Sequence, residues 1–172
     1  QRIYNNNITT SGSDSEGIAL VDTTFNITVY SNRIKTTGSN SPGIEIKYNA
    51  FNHSFSNNFV NSSSIGIRIN GSILGRTDGY VSNISFINDT ILCNSGCTAD
   101  IMITSNSTDI TLLNVSFNKS RIAFVQHTPV SGSSEKNNIT VKWYTTINVT
   151  DNVGAAVSSA SVNISDKFNV SR

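Results

Sequence analysis

The sequence predicts an all-β chain, a right-handed parallel β-helix of about five to six coils, on three observations. A four-residue phrase returns at near-constant spacing, apolar residues alternate within each copy, and two further apolar columns hold the same register. The phrase runs Asn26-Ile27-Thr28-Val29, Asn52-His53-Ser54-Phe55, Asn83-Ile84-Ser85-Phe86, Asp109-Ile110-Thr111-Leu112 and Asn138-Ile139-Thr140-Val141, at intervals of 26, 31, 26 and 29 residues. A period in the twenties points to stacked repeating units. Alternation points to strands, whose successive side chains face opposite sides. Ile27 and Val29 therefore face one way, and Asn26, Thr28 and Tyr30 the other.

The second column reads Gly17-Ile18-Ala19-Leu20, Gly43-Ile44-Glu45-Ile46 and Gly66-Ile67-Arg68-Ile69, continued by Ile101-Met102-Ile103 and Ile122-Ala123-Phe124. The third is Ile8, Ile34, Val60, Ile91 and Phe117. Three strand-like pieces per repeat of about 26 residues, closed by polar corners, describe one coil.

Composition agrees. Asn, Ser and Thr supply 69 of 172 residues, apolar content is 37% and charge 13%, which excludes a helical bundle and a charge-driven disordered chain. A net charge of +1 leaves no electrostatic footprint for nucleic acid or an anionic membrane. No run reaches the roughly 18 to 20 apolar residues that cross a bilayer. Gln1 is neither an initiating Met nor the start of a signal peptide, so a mature or excised chain is expected. One repeat before Val29 and Ile34 stand Ile3 and Ile8, so the chain opens partway through a coil, without the atypical cap a solenoid normally carries.

Residues 1–145 are assigned to the β-helix and 146–172 to a C-terminal β extension. Coils are expected over 2–23, 24–49, 50–75, 80–106 and 107–129. Residues 70–79 form an insertion that accounts for the longest interval. Asn6, Asn32 and Asn58 recur at one corner, where asparagine tolerates left-handed backbone and its amide can bond to the copy above. Asp14 and Glu16 share a loop; a calcium pair is the sharp reading and two solvated acids the bland one. His53 stands where other copies have Ile. A buried imidazole needs partners for its nitrogens, so the strand is locally shifted or His53 reaches a polar group; His127 belongs to another part of the coil. Trp143 and Tyr144 offer the bulk to cover the C-terminal end of the stack.

Two cysteines are a poor zinc set, and Cys93-Asn-Ser-Gly-Cys97 is neither a redox Cys-x-x-Cys nor a haem motif. A local disulfide is expected, which implies an oxidising, extracytoplasmic setting. Sequons for N-glycosylation stand at Asn7, Asn26, Asn52, Asn61, Asn70, Asn83, Asn88, Asn106, Asn114, Asn118, Asn138, Asn148, Asn163 and Asn169. Some arise because a polar strand face naturally places Asn two residues before Ser or Thr. Asn61, Asn70, Asn106 and Asn118 are expected in turns or insertions outside the phrase. Used sequons make the protein secreted or cell-surface.

The phrases Asn-Ile-Thr-Val, Asn-Arg-Ile and Gly-Ile-Glu-Ile resemble the β-helix repeats of archaeal and bacterial surface proteins, including relatives of the copper-insertion accessory protein of nitrous-oxide reductase. The likeness covers residues 2–145. Residues 147–166, where Asp-x-x-Gly precedes Ala-x-Val-x-Ile, resemble the opening of immunoglobulin-like surface domains. Together these features look most like an archaeal surface-layer glycoprotein, but repeats encode a scaffold and not an activity.

The outward columns test the enzyme alternative. Ala19, Glu45, Arg68, Met102 and Ala123 offer Glu45 and Arg68 about 4.8 Å apart on adjacent strands, which suits an ion pair better than catalysis. Thr28, Ser54, Ser85, Thr111 and Thr140 form a hydroxyl column able to meet sugar or ice, without acid or base. Ile87 and Leu113, and Met102 and Ala123 on another face, are apolar neighbours expected to be covered by a partner. The sequence thus predicts a non-catalytic structural glycoprotein of the cell exterior, without cofactor or metal, forming homo-oligomers by β-pairing into a filament, sheath or surface layer. A glycan-binding adhesin and a β-helix polysaccharide lyase or hydrolase are the alternatives.

Overall fold

The computed structural model describes residues 1–71, 79–94, 96–104, 106–125, 136–159 and 161. Almost all of its regular structure is strand. The first pass of the chain gives β1 (Arg2–Tyr4), β2 (Asn7–Thr10) and β3 (Ile18–Val21). The second gives β4 (Thr28–Tyr30), β5 (Arg33–Thr36) and β6 (Pro42–Lys47), and the third β7 (Ala50–Ser56), β8 (Phe59–Ser62) and β9 (Ile65–Asn70). The fourth gives β10 (Val81–Ile87), β11 (Thr90–Cys93) and β12 (Ala99–Thr104). Then follow β13 (Ser107–Leu113), a 3-10 turn at Lys119–Arg121, β14 (Ile122–Val125) and β15 (Asn137–Lys142).

Each of the first four passes adds one strand to each of three parallel sheets, β13 and β14 then extend the first and third, and β15 extends the first again. The orders are β1-β4-β7-β10-β13-β15, β2-β5-β8-β11 and β3-β6-β9-β12-β14, an all-β arrangement compatible with a solenoid. The predicted columns are the observed registers: Ile84 pairs with His53 and Ile110, Ile34 with Ile8 and Val60, and Ile44 with Ile18 and Ile67.

Inward side chains stack between the sheets. Val29, Phe55, Phe86 and Leu112 are fully buried in one file, and the rings of Phe55 and Phe86 stack 4.6 Å apart. Each large buried side chain is worth roughly 1.5–3 kcal/mol, against about 1 kcal/mol or less for an exposed ion pair, so these files hold the passes together.

The asparagine of the phrase answers to the backbone. Asn26, Asn52, Asn83 and Asp109 all have φ between 54° and 60°, a left-handed kink that falls just before β4 and inside β7, β10 and β13. Asn5, Ser31, Asn57, Asn88 and Asn114 repeat it on the way out of the first sheet, with φ between 54° and 56°. Asn and Asp adopt this conformation at least cost among residues with a side chain.

At the next corner the expected amide ladder is present. Asn6 Nδ2 donates to Asn32 Oδ1 (2.9 Å), Asn32 Nδ2 to Asn58 Oδ1 (3.0 Å), and Asn58 Nδ2 to Asp89 Oδ1 (2.9 Å). Asn32 and Asn58 are buried, so these bonds satisfy groups that water does not reach. His53 is also buried, and its strand is in register. Its Nδ1 accepts from the backbone N–H of Ile27 (3.2 Å), which leaves the proton on Nε2, 3.2 Å from Thr24 Oγ1. Of the two readings offered by the sequence, His53 reaches polar groups.

Gly43 and Gly66 sit where the sheets meet. A Cβ on Gly43 would lie 2.9 Å from the carbonyl oxygen of Gly66 and overlap Val60; one on Gly66 would overlap Ile91 and the Asp100 carbonyl.

Three expectations are corrected or limited. Asn61 lies within β8, not in a turn, because its strand pairs with both β5 and β11. Trp143 and Tyr144 are 45% and 61% exposed, so they do not close the end of the stack; Lys119 Nζ instead lies 4.7 Å from the Trp143 ring centroid. Most of the 70–79 insertion, together with His127, Asn163 and Asn169, lies outside the described residues.

Within 146–159 the expected Gly turn is present. Asp151 Oδ1 accepts the N–H groups of Val153 and Ala155, Gly154 has φ 87°, and Val157 N–H donates to the Val149 carbonyl.

Candidate functional site

Two outward faces bring together the polar residues singled out from the sequence. On the first sheet Thr28, Ser54, Ser85, Thr111 and Thr140 stand in one column, each paired in register with the next. Beside it run the kinked residues Asn26, Asn52, Asn83 and Asp109, followed by Asn138. Asn83 Nδ2 donates to Asn52 Oδ1 (2.7 Å), and the Asp109 N–H donates to Asn138 Oδ1. An aromatic stack flanks this column, with Phe25 and Phe51 centroids 5.8 Å apart and Phe51 and Tyr80 6.2 Å apart. The kinks after the sheet form a second amide column, in which Asn114 Nδ2 donates to Asn88 Oδ1 (2.9 Å).

Sequon asparagines occupy both columns. Asn7, Asn26, Asn52, Asn83, Asn88, Asn114, Asn118, Asn138 and Asn148 are exposed, and Asn61, Asn70 and Asn106 are half-buried. At Asn61 the burial is specific, since its Oδ1 is enclosed without a hydrogen-bond partner. The Asn118 Oδ1 accepts both the N–H and the hydroxyl of Ser120, the third residue of its own sequon.

On the third sheet, Glu45 and Arg68 form the expected ion pair, Arg68 Nε lying 2.5 Å from Glu45 Oε1. The pair is not a simple surface contact, because Glu45 is only 2% exposed. Lys47 Nζ reaches Glu45 Oε2 at 2.6 Å and Glu16 at 3.7 Å, and Arg68 donates to Asn40 Oδ1 at 2.9 Å. Burial pushes the Glu45 carboxyl up, but its contacts with Glu16, Lys47 and Arg68 outweigh this and hold it below its ordinary value. Glu45 is thus a fixed anion. The sequence reading did not join Lys47 or Glu16 to this pair, although Lys47 stands two residues from Glu45 on the same side of the strand.

A shallow cleft of about 360 Å³ opens beside this cluster, floored by Glu45, Lys47 and Arg68 and walled by Asn70, Met102 and Thr104. Asp14 and Glu16 do not converge on an ion: Asp14 accepts from Asn40 Nδ2, while Glu16 faces Lys47.

Cys93 and Cys97 are paired as a disulfide. Asp100 approaches the same corner, but sulfurs bonded to each other are not thiolate ligands, so the group is not a metal centre. Arg121 clamps it, donating to the Cys93 carbonyl (3.0 Å) and approaching Asp100 Oδ1 (3.4 Å). The sequence reading missed Asp100 and Arg121. Asp100 stands in the column of Gly43 and Gly66, and only the geometry of the following turn shows where its side chain goes: Oδ2 accepts the Asn118 N–H (2.7 Å).

Ile87 pairs with Leu113 and Met102 with Ala123, so both expected apolar pairs are adjacent; all four side chains are half-buried. Among the described residues no helix is long and apolar enough to cross a membrane. No family model, curated protein or solved structure matches the chain.

Proposed function

We propose that the chain is a right-handed parallel β-helix of five to six coils serving as a non-catalytic structural glycoprotein of the cell exterior. Its copies assemble into a filament, sheath or surface layer through β-pairing, with residues 146–172 as the pairing strand or the start of an immunoglobulin-like unit. One observation carries this reading: nine of the twelve described sequon asparagines are exposed. The disulfide adds support, since such bonds persist outside the reducing cytoplasm. The adjacent apolar pairs Ile87–Leu113 and Met102–Ala123 offer small surfaces for a neighbouring copy.

A second reading, a glycan-binding adhesin or a polysaccharide-cleaving enzyme, draws on the cleft beside Glu45 and the hydroxyl column. The ion pairs weigh against catalysis there, because a carboxylate gripped by two cations is a poor general acid.

Intact mass before and after deglycosylation, with electron microscopy of native material, tests the proposal. Mass loss together with ordered assemblies supports it. An unchanged mass and dispersed monomers at high concentration would sink it.

A further inference from the structure

Resting on that reading, we infer that N-glycans occupy alternate passes within each exposed asparagine column, so that Asn88 and Asn114 do not carry sugar together, nor do Asn52 and Asn83. All four asparagines are exposed sequons, and the members of each pair touch through their amides, Asn83 Nδ2 to Asn52 Oδ1 at 2.7 Å and Asn114 Nδ2 to Asn88 Oδ1 at 2.9 Å. Equivalent atoms on neighbouring passes are about one strand spacing apart, roughly 4.8 Å.

The modification joins Nδ2 to C1 of a glycosyl phosphate donor. The new C–N bond replaces the C1–O bond to phosphate; the amide gives up one proton to the departing phosphate and keeps its oxygen and its second N–H. A single glycan is therefore compatible with the amide contact. Two on adjacent passes are not, because a puckered pyranose with hydroxyl and acetamido substituents is broader than one spacing. Flat rings do stack on consecutive passes here, as Phe25, Phe51 and Tyr80 show at 5.8 and 6.2 Å. Asp109 separates Asn83 from Asn138 by one unmodifiable pass, so that pair is free to be filled together.

The test uses the native glycoprotein. Trypsin releases residues 77–119 as one peptide, bounded by Arg76 and Lys119, which carries both Asn88 and Asn114. Mass spectrometry of the intact glycopeptide is expected to show sugar at Asn88 or Asn114 but not at both. Thr90→Val removes the Asn88 sequon while keeping its asparagine, and is expected to raise Asn114 occupancy at least twofold. Ser116→Ala is the reciprocal variant, expected to do the same for Asn88. Peptides filled at both positions as a major species, or neither occupancy responding to loss of the other sequon, overturn the inference. Sugar absent from every sequon overturns the exterior-glycoprotein reading, and this inference falls with it.

Discussion

Asp89 ends the amide ladder as an acceptor, and its neighbourhood fixes how stability depends on pH. Burial pushes its carboxyl up to about 6, although N–H groups of Asn58 and Ile87 pull the other way. The folded protein binds this proton more tightly than the unfolded chain, so the contribution is full below pH 3.8 and lost as pH rises through about 6. His53 behaves oppositely. Burial drives it down to about 4, so its contribution is full above pH 6.5 and lost as pH falls towards 4. Glu45, held below its ordinary value of 4.5, loses its contribution only in stronger acid. Between about pH 4.5 and 6 the slopes of Asp89 and His53 oppose, each amounting to roughly 1.5 kcal/mol. Urea unfolding of the wild type is expected to be nearly flat over that window. Asp89→Asn is expected to lose about 1.5 kcal/mol on acidification from pH 6 to 4.5, and His53→Gln to gain a similar amount. Parallel slopes in the two variants would show that the buried charges are assigned wrongly. The oddness of His53 was legible in the sequence because one polar residue interrupted an apolar column. Asp89 was not, because the long third interval moved it off the strict period of Asn6, Asn32 and Asn58.

Among the strands, the decisive contacts are where sheets meet. Gly66 belongs to β9, and the Cβ of an alanine there has no room between Ile91 and the Asp100 carbonyl. Neither neighbour is the tip of a flexible chain, so Gly66→Ala is expected to cost about 1–3 kcal/mol, read as a lower urea midpoint at unchanged slope. Cys93 and Cys97 close a loop so short that the chain-entropy model gives the disulfide roughly 2 kcal/mol. A Cys93→Ser/Cys97→Ser double variant is expected to lose about that much in urea and to keep its strand content by circular dichroism. The three apolar columns were legible because they obey period two along each strand and a near-constant repeat between strands. The kinks were not. The recurring asparagine suggested a sequon or an outward strand position, whereas Asn26, Asn52 and Asn83 are left-handed residues that happen to precede Thr or Ser by two. The Glu45 cluster was half legible: alternation aligned Glu45 with Arg68, but nothing in the spacing showed that Lys47 and Arg68 would cover the carboxylate.

Taken whole, the chain is a stack in which each pass touches mainly its neighbours, and stability in such a stack is a sum of pass and interface terms. Inward residues of the middle passes, such as Ile34, Val60, Ile67 and Phe86, are fully buried, whereas Ile3, Ile8, Phe117, Ile122 and Ile139 are only partly covered. Amides at the two ends open with less loss of apolar contact than those in the middle, and exchange follows that local cost. At low protein concentration, hydrogen exchange read by mass spectrometry is expected to be slowest over β7 to β13 and to quicken through β4 towards β1 and from β14 to β15. Concentration then separates assembly from a lone stack. If copies join by pairing strand edges, protection of β1 or β15 rises with concentration while the middle passes stay unchanged, because their backbone groups already have partners. If contact runs instead through Ile87 and Leu113 or Met102 and Ala123, side chains are covered without new backbone bonds, and edge protection stays flat. Concentration-independent exchange at every strand, in a sample whose mass stays monomeric, would leave the chain as a solitary scaffold and remove the assembly half of the proposal.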